Sequence, residues 1–112
     1  MIEHYAFGRV TIDGAEYPFD VICHHGKVRP WRREKGHKVS RKDLVSLVEE
    51  GPAAIVFGTG AYGKMRLTGK ARVYLEEQGI EALSYPTEEA VKVFNDLERQ
   101  GKDVAIAMHL TC

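Results

Sequence analysis

The chain has 112 residues, enough for one domain with a single core and too few for two. Its hydrophobic content of 44% suits a folded globular protein, and no apolar run approaches the roughly 20 residues needed to span a bilayer. Sixteen Lys and Arg balance sixteen Asp and Glu, which excludes a strongly basic nucleic-acid binder and a strongly acidic chain alike.

The first residues carry neither a basic nor an apolar segment of the kind that directs secretion, so the expected location is cytoplasmic. Cys23 and Cys112 lie far apart and are expected as reduced thiols. One Asn and two Gln among abundant Glu and Lys point to a thermophilic source. Residues 27–42 hold eight Lys or Arg against one Glu, a balance of +7. Residues 76–98 hold seven acids against Lys92, a balance of −6. These stretches form two surfaces for different partners, or complementary faces that attract a second copy.

In chain order, residues 4–12 and 16–22 are rich in Val, Ile, Phe and Tyr and are separated by Asp13-Gly14. That pattern predicts a hairpin, with Pro18 confining its second strand to an edge or an irregularity. Residues 23–39 show no period and are expected as a long ordered loop anchored by Trp31. Ser40 and Asp43 form a capping-box pair before a helix with Leu44, Leu47 and Val48 inward, ended by Gly51-Pro52. A buried strand follows over 53–57 and runs into Gly58-Thr59-Gly60-Ala61-Tyr62-Gly63-Lys64. Thr68 caps a second helix to Gln78, with Ala71, Tyr74 and Leu75 inward. Residues 80–85 form a strand. Thr87 is read as the cap of a third helix whose buried stripe is Ala90, Val93, Phe94 and Leu97. Residues 104–110 are nearly all apolar and should be a central strand covered on both faces. The fold class is α/β: one three-layer domain over 1–112, with a mixed central sheet flanked by helices, in the order ββαβαβαβ with an N-terminal hairpin.

The glycine loop matches two nucleotide motifs and fails each at the residue that does the chemistry. As G-x-G-x-x-G it lacks an acid at the end of the next strand, where Leu83-Ser84-Tyr85 stands. As a phosphate loop it needs Ser or Thr after Lys64 and has Met65. Two readings remain. The loop is a tight turn that needs positive φ and close helix–strand approach. Alternatively, its N–H groups and Lys64 hold a small anion. The candidate ligand site is then Gly58, Thr59, Gly60, Gly63 and Lys64, with Arg32, Arg33 and His37 from the long loop. Trp31, Lys35 and Lys38 form a candidate interaction surface, and the basic stretch 27–42 admits single-stranded RNA as a disfavoured third partner. His24, His25, His37, His109 and Cys112 are metal-ligand types without zinc-finger spacing, so neither metal nor cofactor is assigned. No catalytic set is complete.

Trp31-Arg32-Arg33, Gly36-His37 and Asp43-Leu44, followed by Val56-Phe57-Gly58-Thr59-Gly60, run in an order and spacing that resemble the small α/β Mth-domain family. Gly79-Ile80-Glu81, Thr87, Ala90, Asn95-Asp96-Leu97 and the stretch from Val104-Ala105 to His109-Leu110-Thr111 extend the likeness over nearly the whole chain. The family includes the adipogenesis-associated Mth-domain protein and mitochondrial complex I assembly factor three. The resemblance implies a three-layer domain with no established catalysis, acting in assembly or regulation. Its mitochondrial members carry a targeting extension, whereas this chain starts at its first strand. The resulting expectation is a non-catalytic cytoplasmic domain that binds a protein partner or itself, with no membrane role.

Overall fold

The computed structural model describes residues Met1–Cys112. Strands Ile2–Ala6 (β1), Arg9–Ile12 (β2) and Ala15–Tyr17 (β3) form an antiparallel sheet of their own. Val21–His24 (β4) and Lys27–Pro30 (β5) form a hairpin, and Lys38–Val39 (β6) is a short strand. A 3-10 turn over Arg41–Asp43 leads into Val45–Glu49 (α1) and then Ala54–Thr59 (β7). Arg66–Leu67 (β8), Gly69–Glu77 (α2), Glu81–Tyr85 (β9), Thr87–Arg99 (α3) and Val104–His109 (β10) complete the chain. The central sheet has the order β5-β4-β10-β7-β9, and β6 pairs with β8 in parallel. β10 is parallel to β7 and antiparallel to β4, so the sheet is mixed.

The α/β class and the central place of the last strand hold. The strand count is larger than the sequence pattern suggested, because residues 23–39 are not one loop and the expected hairpin is divided: residues 4–12 fold back on themselves at Phe7-Gly8 as β1 and β2, and residues 16–22 are shared between β3 of the small sheet and β4 of the central one. His24 pairs with Lys27, which leaves His25 (φ +51°) and Gly26 (φ +75°) as a two-residue turn with both residues left-handed. Asp13 (φ +49°) and Gly14 (φ +84°) make the same kind of turn between β2 and β3. This turn type matches strand twist, but only Asp-Gly advertises it strongly, so the His-Gly copy is silent in sequence. The charges on β5 also masked it as a strand. β5 lies at the sheet edge, where Lys and Pro are expected.

β7 and β10 are buried along their whole length, and their side chains sort by alternation. Ile55 and Phe57 point with Ile22, Ala105 and Ala107 toward α1 and α2, into a core holding Leu44, Leu47, Ala71 and Leu75. Val56, Val104, Ile106 and Met108 point the other way, toward Ala90 and Phe94 of α3 and Ile2, Val10 and Ile12 of the three-stranded sheet. Small residues sit beside large ones across the ladder: Ala105 registers with Ile55 and Ala107 with Phe57. Asn95 clamps α3 onto β1, accepting from the Ile2 N–H (3.0 Å) and donating to the Ile2 carbonyl (2.8 Å).

The capping expectations hold at the 3-10 turn that leads into α1, whose own N-cap is Leu44, and at α2, and they fail at α3. The Ser40 N–H donates to Asp43 Oδ2 (2.8 Å), and Thr68 Oγ1 accepts from the Ala71 N–H (3.1 Å). Pro86, not Thr87, occupies the N-cap of α3, and Thr87 is fully buried with its hydroxyl turned to the sheet. Its stripe is Ala90, Val91 and Phe94, with Val93 and Leu97 only partly buried.

At the opposite end of the sheet, buried His24 places Nδ1 against Glu50 Oε1 (2.7 Å) and Nε2 against Asp103 Oδ1 (2.8 Å), and Arg29 reaches Glu50 Oε2 (2.6 Å). Burial would raise the Glu50 carboxyl, but the hydrogen bond from His24 and the charge of Arg29 outweigh it and hold the group below its ordinary 4.5. A depressed carboxyl contributes stability that is complete above the unfolded value and is lost as pH falls through the folded one. Unfolding free energy should therefore fall as pH drops below about 4.5, and less steeply in Glu50→Gln; identical acid limbs would contradict the pairing. Phe57→Ala should cost about 3–5 kcal/mol in urea unfolding, as expected for a large cavity between two layers.

Candidate functional site

β7 and β10 run parallel and stop together, so their last carbonyls and the turn after β7 meet at one end of the sheet. Thr87 Oγ1 joins them. It accepts from the Gly60 N–H (2.8 Å) and donates to the His109 carbonyl (2.6 Å). Gly58 permits this approach, because a Cβ there would lie 3.0 Å from Thr87 Oγ1 and 3.3 Å from Met108. Gly60 has φ +102°, and a Cβ on it would fall 2.2 Å from the Cys112 carbonyl carbon. The tight-turn reading of the loop thus fits the geometry.

The amide cradle does not form. Gly60, Ala61, Gly63, Lys64 and Met65 all donate their N–H groups inside the fold, to Thr87 Oγ1 and to the carbonyls of Thr111, Gly60, Cys112 and Thr59. Gly58 and Thr59 lie in β7 itself, and Thr59 Oγ1 donates to the Tyr85 carbonyl (3.0 Å). The expectation of an anion held by these amides is corrected accordingly. Lys64 is exposed on the rim, as are Arg32, Lys35, His37 and Lys38.

Two other candidates lie where the sequence did not place them. Trp31 is only 5% exposed; it packs on Phe57 and donates Nε1–H to the Asp43 carbonyl, so it is a core residue and offers no face to a base or a partner. The Arg33 side chain is 4% exposed, stacked 4.4 Å from the Trp31 ring centroid and paired with Asp20 Oδ2 at 2.8 Å. With Arg33 paired to Asp20, Arg29 to Glu50 and Lys42 to Glu34, three of the eight basic residues of the stretch are engaged within the fold, which weakens the RNA reading further. Clefts of about 290 Å³ beside Asp20, Trp31 and Arg32, and of about 250 Å³ between Lys35, Lys38 and Thr68, flank the loop.

Asp20, just before β4, organises the polar cluster. Its Oδ1 accepts from the Leu110 N–H (2.8 Å), and its Oδ2 faces both Arg33 Nη2 and His109 Nδ1 at 2.8 Å. Burial would raise this carboxyl, but the hydrogen bonds from His109, Leu110 and Arg33 and the guanidinium charge outweigh it and hold it below its ordinary value. A charged carboxylate only accepts, so the proton between the two lies on His109 Nδ1. The Arg33 Nη2 contact with the same nitrogen, at 3.2 Å, is then proximity rather than a hydrogen bond. His109 Nε2 is left facing Thr111 Oγ1 at 3.4 Å.

One donor atom each from His37, His109 and Cys112 lies within 4.8 Å of the other two. The His37 and His109 rings meet edge to face with centroids 5.6 Å apart. His24, His25 and Asp103 make a second such group, but both His24 nitrogens are already engaged by carboxylates. Sequence reading missed the role of Asp20 and the grouping of His37 with His109 and Cys112. Strand alternation would set Cys112 on the far side of His109, but β10 ends at His109, and the Cys112 donor lies within 4.8 Å of the His109 donor. Cys23 is a different thiol: burial pushes it up to about 11, which marks it as a core residue rather than a nucleophile.

Gly60→Ala should destabilise by at least ~1–3 kcal/mol from the left-handed backbone alone. Gly63→Ala should be milder, because its nearest neighbour would lie 3.6 Å away. Thermal unfolding checks the order, and a Gly60→Ala protein as stable as wild type would contradict the close approach.

Comparison with known proteins agrees with this geometry. Residues 2–109 match the model of a family described as protein of unknown function (DUF498/DUF598). The protein MT938 is 32% identical, with a TM-score of 0.85 over 100% of this chain and 98% of that one. The conserved hypothetical protein PH1505 from Pyrococcus horikoshii OT3 is 29% identical, with a TM-score of 0.88 over 100% and 99%. A Bordetella pertussis protein described as a Mth938-like domain shares the fold at 16% identity, with a TM-score of 0.75 over 97% and 84%. The resemblance carried by the sequence motifs is therefore borne out, and the chain belongs to the DUF498/DUF598 family of Mth938-like domains.

Proposed function

We propose that this chain is a non-catalytic binding domain that docks a protein partner, in an assembly or regulatory role, at the end of the sheet where β7 and β10 stop. The observation that carries this is an exposed aromatic pair. Phe7, in the β1–β2 turn, is 59% exposed, Tyr62 of the glycine loop is 73% exposed, and their ring centroids lie 6.4 Å apart. Each sits on a well-fastened backbone. The Gly8 N–H donates to the Leu110 carbonyl (2.8 Å), and the amides around Tyr62 are bonded inside the fold. Rigid exposed aromatics are what interfaces use as anchors, because little entropy is lost when they are covered.

Exposed Lys64 and Arg66 lie in the chain just beyond Tyr62, and the Arg66 N–H donates to the His37 carbonyl (2.9 Å), which brings the basic loop to the same end. A partner with an apolar patch rimmed by acids fits this surface. A second copy, offering its acidic stretch 76–98, is one such partner. The unpaired thiols Cys23 and Cys112 favour a reducing compartment, in keeping with a cytoplasmic location.

Light scattering across protein concentration, with affinity capture from cell extract, tests the reading. Phe7→Ala or Tyr62→Ala should weaken self-association or partner retention by roughly 2 kcal/mol, the scale of an interface anchor, while leaving the melting temperature unchanged. A strict monomer that retains no partner, or retention indifferent to both substitutions, would contradict it.

A further inference from the structure

We propose that His37, His109 and Cys112 form a binding site for a zinc-like divalent cation with one coordination position left open. This goes beyond the docking surface and does not depend on it. Three independent features of the fold converge on the site.

The first is the donor set. Two imidazoles and one thiolate suit Zn²⁺ and other borderline cations, and three protein ligands with a free fourth position are the pattern of sites that keep room for a water or a further ligand rather than of closed structural sites. The donors come from three separate places: the loop before β6, the last residue of β10, and the segment beyond it. Their mutual separations are within 4.8 Å. Zinc bonds of roughly 2.0–2.3 Å would draw such donors to about 3.5 Å apart, a closure that side-chain rotation of exposed His37 and half-buried Cys112 can supply.

The second feature is orientation. His109 is 8% exposed at the side chain and cannot turn freely. Asp20 holds its Nδ1–H, so a neutral ring keeps its lone pair on Nε2, the nitrogen turned away from Asp20 and toward Thr111 Oγ1. Carboxylate–histidine–metal relays of this kind fix the tautomer and ring direction of ligating histidines. Asp20 is itself fixed by the Leu110 N–H and by Arg33, so the support continues into the core through the Arg33–Trp31 stack. Arg33 and Asp20 neutralise each other, so the charge in direct contact with His109 is balanced.

The third feature is contrast. The other histidine group, His24 with His25 and Asp103, has both nitrogens of its buried ring engaged by carboxylates. In the His37 group, the one internal contact of His109 Nε2 is Thr111 Oγ1, at 3.4 Å. That is too long to compete with a metal bond.

The test uses the full chain without an affinity tag, stripped with chelator and titrated with Zn²⁺ by calorimetry and with Co²⁺ by absorbance. One equivalent should bind, and cobalt should show a sulfur-to-metal charge-transfer band. Cys112→Ser should abolish that band. Asp20→Asn should weaken zinc binding roughly 10–100-fold, and His37→Gln and Cys112→Ser by at least as much. His37 is exposed, so His37→Gln should leave the circular dichroism unchanged and report binding without a folding artefact. His25→Gln, at the other histidine group, should bind like wild type. No cobalt band, affinity unchanged in both His37→Gln and Cys112→Ser, or binding lost in His25→Gln would each overturn the site.

Discussion

Two parallel strands buried on both faces leave a set of polar groups to be satisfied where they stop. Their last carbonyls and the first amides of the following turn cannot reach water without opening the core, so their partners must come from within. Two side chains do this. The Thr87 hydroxyl ties Gly60 to His109, and the Asp20 carboxylate ties Leu110 to His109 and Arg33. One binds α3 to the end of the sheet and the other binds the entry to β4. The rest of this end follows from those bonds: glycine where Thr87 comes close, a buried arginine stacked on tryptophan, and a histidine held in one direction.

This constraint explains why the glycine loop resembles a nucleotide motif without being one. Close backbone approach demands glycine whether the neighbour is a phosphate or another strand. Here the neighbours are Thr87, Met108 and the chain beyond β10. The amides that would line a phosphate site are already bonded to Thr87, to the chain beyond β10, or to the carbonyls of Thr59 and Gly60. What faces outward is Tyr62 with Phe7 beside it, an exposed aromatic pair where the nucleotide motif would present bare amides.

The layered class, the two central strands and their burial were legible because Ala-Ile-Val-Phe and Val-Ala-Ile-Ala-Met have one physical solution, a strand covered on both faces. Ser40, Asp43 and Thr68 were legible because capping is local. The hairpin of β4 and β5 was not, since His25-Gly26 is a weak turn signal and charge on an edge strand looks like a loop. Trp31 was correctly read as an anchor but misjudged as a surface, because nothing local shows that Phe57 and Arg33 enclose it. Thr87 looked like a cap because its neighbours look like a helix start, and its true partners are 27 and 22 positions away. The polar cluster was out of reach for the same reason. Asp20, Arg33 and His109 meet only after the sheet has assembled, and no spacing rule announces a carboxylate 89 residues from its histidine.

The most direct check on the account is which nitrogen of His109 carries the proton. A long-range nitrogen–proton NMR spectrum of the ring in the metal-free protein should show the proton on Nδ1, where Asp20 accepts it, and a bare Nε2. A proton on Nε2 with Nδ1 bare would mean that Arg33, not the histidine, satisfies Asp20, and the order inferred for this end of the sheet would be wrong.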